Sequence, residues 1–131
     1  IEWLPGPEGF DVRQPVSCDL ANHRHLCTRE LCQEDVVSVD TYPDGTSLFG
    51  VYSLAGNVAE WVRDWYAPDY YTTSPLDDPE GPIGGSERVI RGGSFIDVDY
   101  WLEVTARRAL NPTLRDLVLG FRCARLPPQA P

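Results

Sequence analysis

Twelve prolines and eleven glycines recur along this 131-residue chain, and they constrain its fold more than any other feature. Proline lacks the amide hydrogen that a helix interior needs, and glycine loses more backbone freedom than other residues when held in a regular element. Apolar residues at helical spacing over more than about eight positions are missing. Long helices are therefore excluded. Strand character is found at Val36–Val39, Leu48–Ser53, Arg88–Phe95 and Leu119–Ala124, separated by turn clusters such as YPDGTS at 42–47 and DDPEGPIGG at 77–85. A short helical turn is expected at Ala59–Arg63. LPPQAP at 126–131 reads as an extended tail or a linker.

An apolar share of 42%, with four tryptophans and six tyrosines, is enough for the core of one compact domain. The net charge of −9 argues against nucleic-acid partners, which draw affinity from clustered basic residues; here the arginines are scattered. No apolar run approaches the roughly 20 residues of a membrane span, and no charged-then-apolar signal segment opens the chain. The chain begins with Ile1 and contains no methionine, so its true start is expected to lie elsewhere.

Three phrases stand in a fixed order: GVYSLAGNVAEWVRDWY at 50–66, RVIRGGSF at 88–95 and LGFRCAR at 119–125. Together they resemble the C-terminal half of the formylglycine-generating enzyme family, also called sulfatase-modifying factors, whose pattern reads roughly GLYDMxGNVWEW, RVxRGGSW and GFRCA. The resemblance covers residues 22–125, leaving 1–21 unassigned and 126–131 as a Pro-rich tail. It implies an α+β, C-type-lectin-like fold of short strands and long loops. It also implies that the family's N-terminal half, with a phrase like RLPTEAEWEYA, is missing here, so that half or an adjacent domain is the expected partner.

In GNVAEW, a turn at Gly56 lets backbone carbonyls converge beside the Glu60 carboxylate, and convergent oxygens are what Ca²⁺ requires. The resemblance implies a calcium site in which Glu60 supplies a carboxylate, Gly56 and Val58 supply carbonyl oxygens, and Ser53 stands where the family has Asn or Asp. The alternative is structural: Glu60 caps a turn or pairs with Arg63. A second family calcium site would use Asn22 of the Ala21-Asn22 pair, with Glu34 or Asp35 as candidates for its carboxylate. Trp61 and Trp65 are expected in the core. The tyrosine-rich stretch around Tyr66, Tyr70 and Tyr71 is expected either to face a groove or to pack as a surface turn.

The family's aerobic enzymes oxidise a substrate cysteine with copper(I), a soft cation held by two thiolates after the GGS. In RGGSFIDVDYWLEV, Asp97 takes the first of those positions and Leu102 the second, while Ala59 replaces a pocket tryptophan. Copper and cysteine-to-formylglycine oxidation are therefore not expected. Ser94, Asp97, Asp99 and Arg108 remain as candidates to line a groove for a peptide or small molecule. Arg91 and Arg108 have an equally good structural reading, as braces for loops or partners of buried carboxylates.

Cys18, Cys27 and Cys32 cluster with His23 and His25, and Cys123 stands apart. Disulfides, a zinc site and free thiols all remain open, and four cysteines allow three pairings. Disulfides would place the protein in an oxidising, extracytoplasmic (periplasmic or secreted) compartment. The leading functional expectation is a non-catalytic binding or regulatory module. The rivals are a divergent family oxidoreductase, of the sulfoxide-synthase kind, completed by another half or domain, and a purely structural extracellular module.

Overall fold

The computed structural model describes residues 16–124; the expectations for 1–15 and for the tail lie outside that range. One four-stranded sheet organises it: β1 (Ala59–Trp65), β2 (Arg88–Arg91), β3 (Arg108–Leu110) and β4 (Leu119–Gly120), in the order β3-β2-β1-β4. β2 runs antiparallel to both β1 and β3, whereas β4 runs parallel to β1 and brings Gly120 beside Glu60. Helical structure among the described residues is confined to three 3-10 turns, Pro43–Gly45, Tyr70–Thr72 and Asp99–Leu102. Short strands joined by long loops match the expectation, but several placements do not.

The helical turn expected at Ala59–Arg63 is instead the start of the longest strand. Partners on both sides decide this. β1 pairs with β2 on one edge and β4 on the other, and Trp, Val and Trp in AEWVRDW suit a pleated surface. β2 stops at Arg91 because Gly92, with φ +86°, turns the chain away. β4 likewise ends at Gly120, well short of Ala124. β3 was not anticipated; its three residues carry no alternation that distinguishes them from a loop.

Val36–Val39 and Leu48–Ser53 form no strands. In the first, the partner of Val37 is a side chain: Asn57 Oδ1 accepts from Val37 N (2.9 Å), and Asn57 Nδ2 donates to Val37 O (3.1 Å). Asn22 acts similarly on the preceding residues, accepting from Gln33 N (3.1 Å) and donating to Asp35 O (2.9 Å). A primary amide offers the same donor and acceptor as a peptide group, so each asparagine stands in for a neighbouring strand. Residues 47–51 close instead as a tight loop, in which Ser47 N donates to Val51 O (3.0 Å) and Gly50 N to Ser47 O (2.9 Å).

The buried apolar residues are Ala21, Tyr42, Ala59, Val89, Ile90 and Leu102, and the largest fully buried side chains are polar: His23, Asn22 and Ser94. Trp61 and Trp65, expected in the core, are only half-buried. Arg88 stacks over the Trp65 ring at 3.6 Å, so one part of the sheet is covered by a guanidinium where a packed layer would otherwise lie. The tyrosines pack as a surface turn. Tyr71 Oη accepts from Arg91 Nη2 (2.9 Å), Arg107 lies 4.5 Å over the Tyr71 ring, and Tyr70 Oη accepts from Gly81 N (3.0 Å). Arg91 also donates to Val104 O (2.8 Å) and Ala106 O (3.2 Å), the loop-bracing role read for it from the sequence.

Candidate functional site

Parallel pairing of Glu60 with Gly120 carries the chain into Arg122, two residues on, and swings that guanidinium over β1. Arg122 Nε donates to Glu60 Oε2 (2.6 Å), and Nη2 donates to Glu60 Oε1. The same group reaches back to the loop before β1, with Nη1 donating to Tyr52 O (3.0 Å) and Nη2 to Ser53 O (2.9 Å). The hydrogen bond to Glu60, with the charge of that carboxylate, pushes the Arg122 pKa above its ordinary value, and an arginine guanidinium stays cationic in any case. Ser53 adopts φ +50°, and its hydroxyl donates to Val39 O (3.1 Å).

The four residues expected as calcium ligands are thus gathered where a loop meets the sheet, and the side chains of two of them already have partners. Both Glu60 oxygens are engaged by Arg122, and the Ser53 hydroxyl is turned to Val39 O. Gly56, at φ +74°, donates its amide to Gly92 O (2.7 Å), and Val58 packs its side chain toward Gly120. Glu60 pairs with Arg122 rather than with Arg63, whose nearest carboxylate is the exposed Glu80 at 3.8 Å. For the second calcium site, Asn22 Oδ1 is engaged by Gln33 N, while Glu34 and Asp35 are exposed.

Three of the four groove candidates, Ser94, Asp97 and Arg108, form one network, and Asp99 lies apart. Asp97 receives a two-pronged grip from Arg108 (Nη1 to Oδ1 2.9 Å, Nη2 to Oδ2 2.7 Å) and also accepts from Ser94 N (2.9 Å) and Ser94 Oγ (2.6 Å). Fork-on-carboxylate geometry of this kind is both strong and directional. Arg108 lies 4.9 Å over the Trp101 ring, and Ser94 is fully buried. Asp99 belongs elsewhere: its Oδ1 is 3.0 Å from His23 Nε2. That contact is at ion-pair distance but off the ring N–H axis, so neither atom has an aligned hydrogen bond.

A shallow cleft of about 200 Å³ opens beside this network, lined by Ile90, Arg108, Leu110, Leu114, Asp116 and Val118. Of the four groove candidates, only Arg108 reaches it. The other lining residues were missed because they are ordinary apolar positions, brought together only by the pairing of β3 with β2 and the return of the chain into β4. The cleft is small for a drug-sized ligand, and an apolar wall with one cation and one carboxylate fits a single side chain of a peptide or a compact polar molecule.

Cys18 and Cys32 form a disulfide, and Cys27 and Cys123 are free and exposed. The buried His23 touches the bridge, with Nδ1 3.1 Å from Cys32 Sγ. Cys18, His23 and Cys32 are near enough to have shared a metal ion, but a sulfur bonded to sulfur is not a thiolate ligand. Alkylation of the native protein without reductant is expected to label two cysteines, and four after reduction in denaturant. Mass spectrometry reads this directly, and labelling of Cys18 or Cys32 without reductant would remove the bridge.

Comparison with known proteins decides the family. The model of the sulfatase-modifying factor enzyme 1-like domain matches residues 11–127. The chain belongs to this family, that of the formylglycine-generating enzymes. It is 41% identical over 104 residues to a formylglycine-generating enzyme of Streptomyces coelicolor, covering 76% of this chain and 32% of that protein. It is 42% identical over 93 residues to a Chlamydia trachomatis protein named serine/threonine-protein kinase Pkn1, covering 70% of this chain and 15% of that one. Hercynine oxygenase of Mycolicibacterium smegmatis is 33% identical over 92 residues, or 66% of this chain and 22% of that protein. Among solved structures, Treponema denticola variable protein 1 superposes with a TM-score of 0.65 at 34% identity, covering 79% of this chain and 34% of that one. The formylglycine-generating-enzyme fold is therefore the fold of this chain, which spans about a third of the length of the Streptomyces enzyme.

Proposed function

We propose that this chain is the C-terminal part of a formylglycine-generating-enzyme-family domain that binds or regulates, and that it does not carry out copper-dependent oxidation of cysteine. The state of Asp97 carries this reading. By the family motif, Asp97 and Leu102 stand where the aerobic enzymes hold copper(I) between two thiolates. Here the Asp97 carboxylate is taken up by Arg108 and Ser94, and Leu102 is a buried apolar side chain. A soft monovalent cation finds no thiolate at either position. Ala59, at the position of the family's pocket tryptophan, is fully buried in β1.

The surface left for recognition is the cleft beside Arg108, which suits a peptide side chain or a small ligand. That a 93-residue match to this chain takes up only 15% of a protein named as a kinase supports use as an accessory module. The Cys18–Cys32 bond supports an oxidising, extracytoplasmic compartment. Among the described residues no helix is long and apolar enough to cross a membrane.

The test is to supply copper(I) and a peptide bearing a CxPxR cysteine to the full chain and capture aldehyde with a hydrazide probe. No product above the metal-free control is expected. Turnover above that control would overturn the reading. The similarity to hercynine oxygenase favours one alternative, a divergent oxidoreductase whose iron is held by another domain. Oxygen uptake that depends on added iron(II) and a thiol substrate would support it.

A further inference from the structure

We propose that reduction of the Cys18–Cys32 bond turns this pair, together with the buried His23, into a two-cysteine, one-histidine site for Zn²⁺, with Asp99 as the carboxylate that orients the histidine. The Cys18 and Cys32 sulfurs and a ring nitrogen of His23 lie within 4.8 Å of one another. Thiolates and a neutral imidazole are the ligands zinc takes, and three of them leave a fourth, tetrahedral position for water. Two thiolates also balance the charge of the ion. The occupied centre is therefore neutral beside an enclosed histidine.

The hydrogen bonds that place the histidine do not pass through the sulfurs. Cys32 N donates to His23 O (2.9 Å), Arg24 N donates to Asp97 O (2.9 Å), and Arg24 bridges to both Leu31 and Val98. His23 is thereby held between the segment carrying Cys32 and the one carrying Asp99, fully buried. Its two nitrogens meet different groups: Nδ1 lies 3.1 Å from Cys32 Sγ, and Nε2 lies 3.0 Å from Asp99 Oδ1. In the disulfide form this arrangement is incomplete, because Nε2 and both Asp99 oxygens are buried without an aligned hydrogen bond. A metal on Nδ1 fixes the ring proton on Nε2, where a small rotation of the ring aims it at Asp99. A carboxylate behind a ligating imidazole is the usual support of a zinc-bound histidine. Cys18 is exposed, on a turn closed by Leu20 N donating to Ser17 O (3.0 Å), so its sulfur can draw back from Cys32 to admit the ion.

The reductant is a small thiol: two of its molecules are oxidised to one disulfide, and Cys18 and Cys32 each gain an electron and a proton. Zn²⁺ then displaces those two protons to solvent and leaves His23 neutral. The proposal is independent of the functional reading above. Its test uses the full chain carrying Cys27→Ser and Cys123→Ser, which removes the two exposed free thiols. This chain is reduced, desalted without oxygen and titrated with Co²⁺, whose thiolate charge-transfer and tetrahedral d–d bands report the ligands; competition by Zn²⁺ gives the affinity. One ion per reduced chain with both sets of bands is expected, and none in the oxidised chain. Cys18→Ser is expected to lose about half of the charge-transfer intensity, having one thiolate of two. Asp99→Ala is expected to keep the bands but to bind Zn²⁺ about 10–100-fold more weakly. His23→Gln is expected to abolish tight binding, whereas His25→Ala keeps it. If the reduced chain unfolds, refolding on addition of Zn²⁺ is the readout, and recovery that requires His23 supports the site. A reduced chain without charge-transfer bands, an oxidised chain that shows them, binding that needs His25 in place of His23, or an unchanged affinity in Asp99→Ala would each overturn the proposal.

Discussion

Gly56→Ala is expected to destabilise the protein by about 3–5 kcal/mol, a large fraction of the roughly 5–15 kcal/mol that a domain has in total. Two independent penalties combine. Gly56 sits at φ +74°, a conformation that costs a residue with a Cβ about 1–2 kcal/mol. The added methyl would lie 2.3 Å from Asn22 O and 3.0 Å from Asn22 C. Those atoms cannot retreat cheaply: Asn22 is fully buried, its carbonyl accepts from Asn57 N (2.8 Å), and its side chain holds Gln33 and Asp35. Urea titration followed by tryptophan fluorescence measures the loss. A cost below about 1 kcal/mol would show that the Asn22 segment yields to the methyl after all.

Asp97→Ala is expected to cost about 2–4 kcal/mol. It removes the anion from the Arg108 fork and the acceptor from Ser94 N and Oγ at once. The figure lies at or below the range for a fully buried pair because the Arg108 side chain is 29% exposed and water can partly replace its partner. Asp97→Asn keeps the shape and an acceptor, so it is expected to cost about half as much. Combining Asp97→Ala with Arg108→Ala in a double-mutant cycle is expected to give a coupling of about 1–3 kcal/mol. Additive losses would mean that the two side chains brace the loop separately.

The two sites differ in how far the residues alone could point to them. GNVAEW and RGGSF mark the two turns that the structure places side by side, where Gly56 N donates to Gly92 O (2.7 Å) and Phe95 N to Asn57 O (3.0 Å). Gly56, Glu60 and Ser94 were singled out from these phrases, and Asp97 and Arg108 from the resemblance beyond them. What each one touches was not legible. The structural alternative for Glu60 paired it with Arg63, three positions on; its partner in the fold is Arg122, 62 residues away in the third phrase. Asp97 was read as a groove candidate, and its carboxylate is engaged by Arg108 and Ser94. Contacts across that separation depend on sheet pairing, which no local pattern encodes.

The same division holds for the elements. Glycine and proline density determined that this chain builds short strands and no long helix, because those residues act on the backbone of their own neighbourhood. The order of the three phrases determined the family. Tertiary structure decided that AEWVRDW is a strand, since partners on both edges outweigh local preference. It decided that Val36–Val39, strand-like in composition, stays outside the sheet because the side chain of Asn57 satisfies Val37 first. It also decided that the largest fully buried side chains among the described residues are polar: His23, Asn22 and Ser94. For Asn22, burial is favourable because Gln33, Asp35 and Asn57 arrive from other segments to satisfy it, so the fold around it is the physical cause.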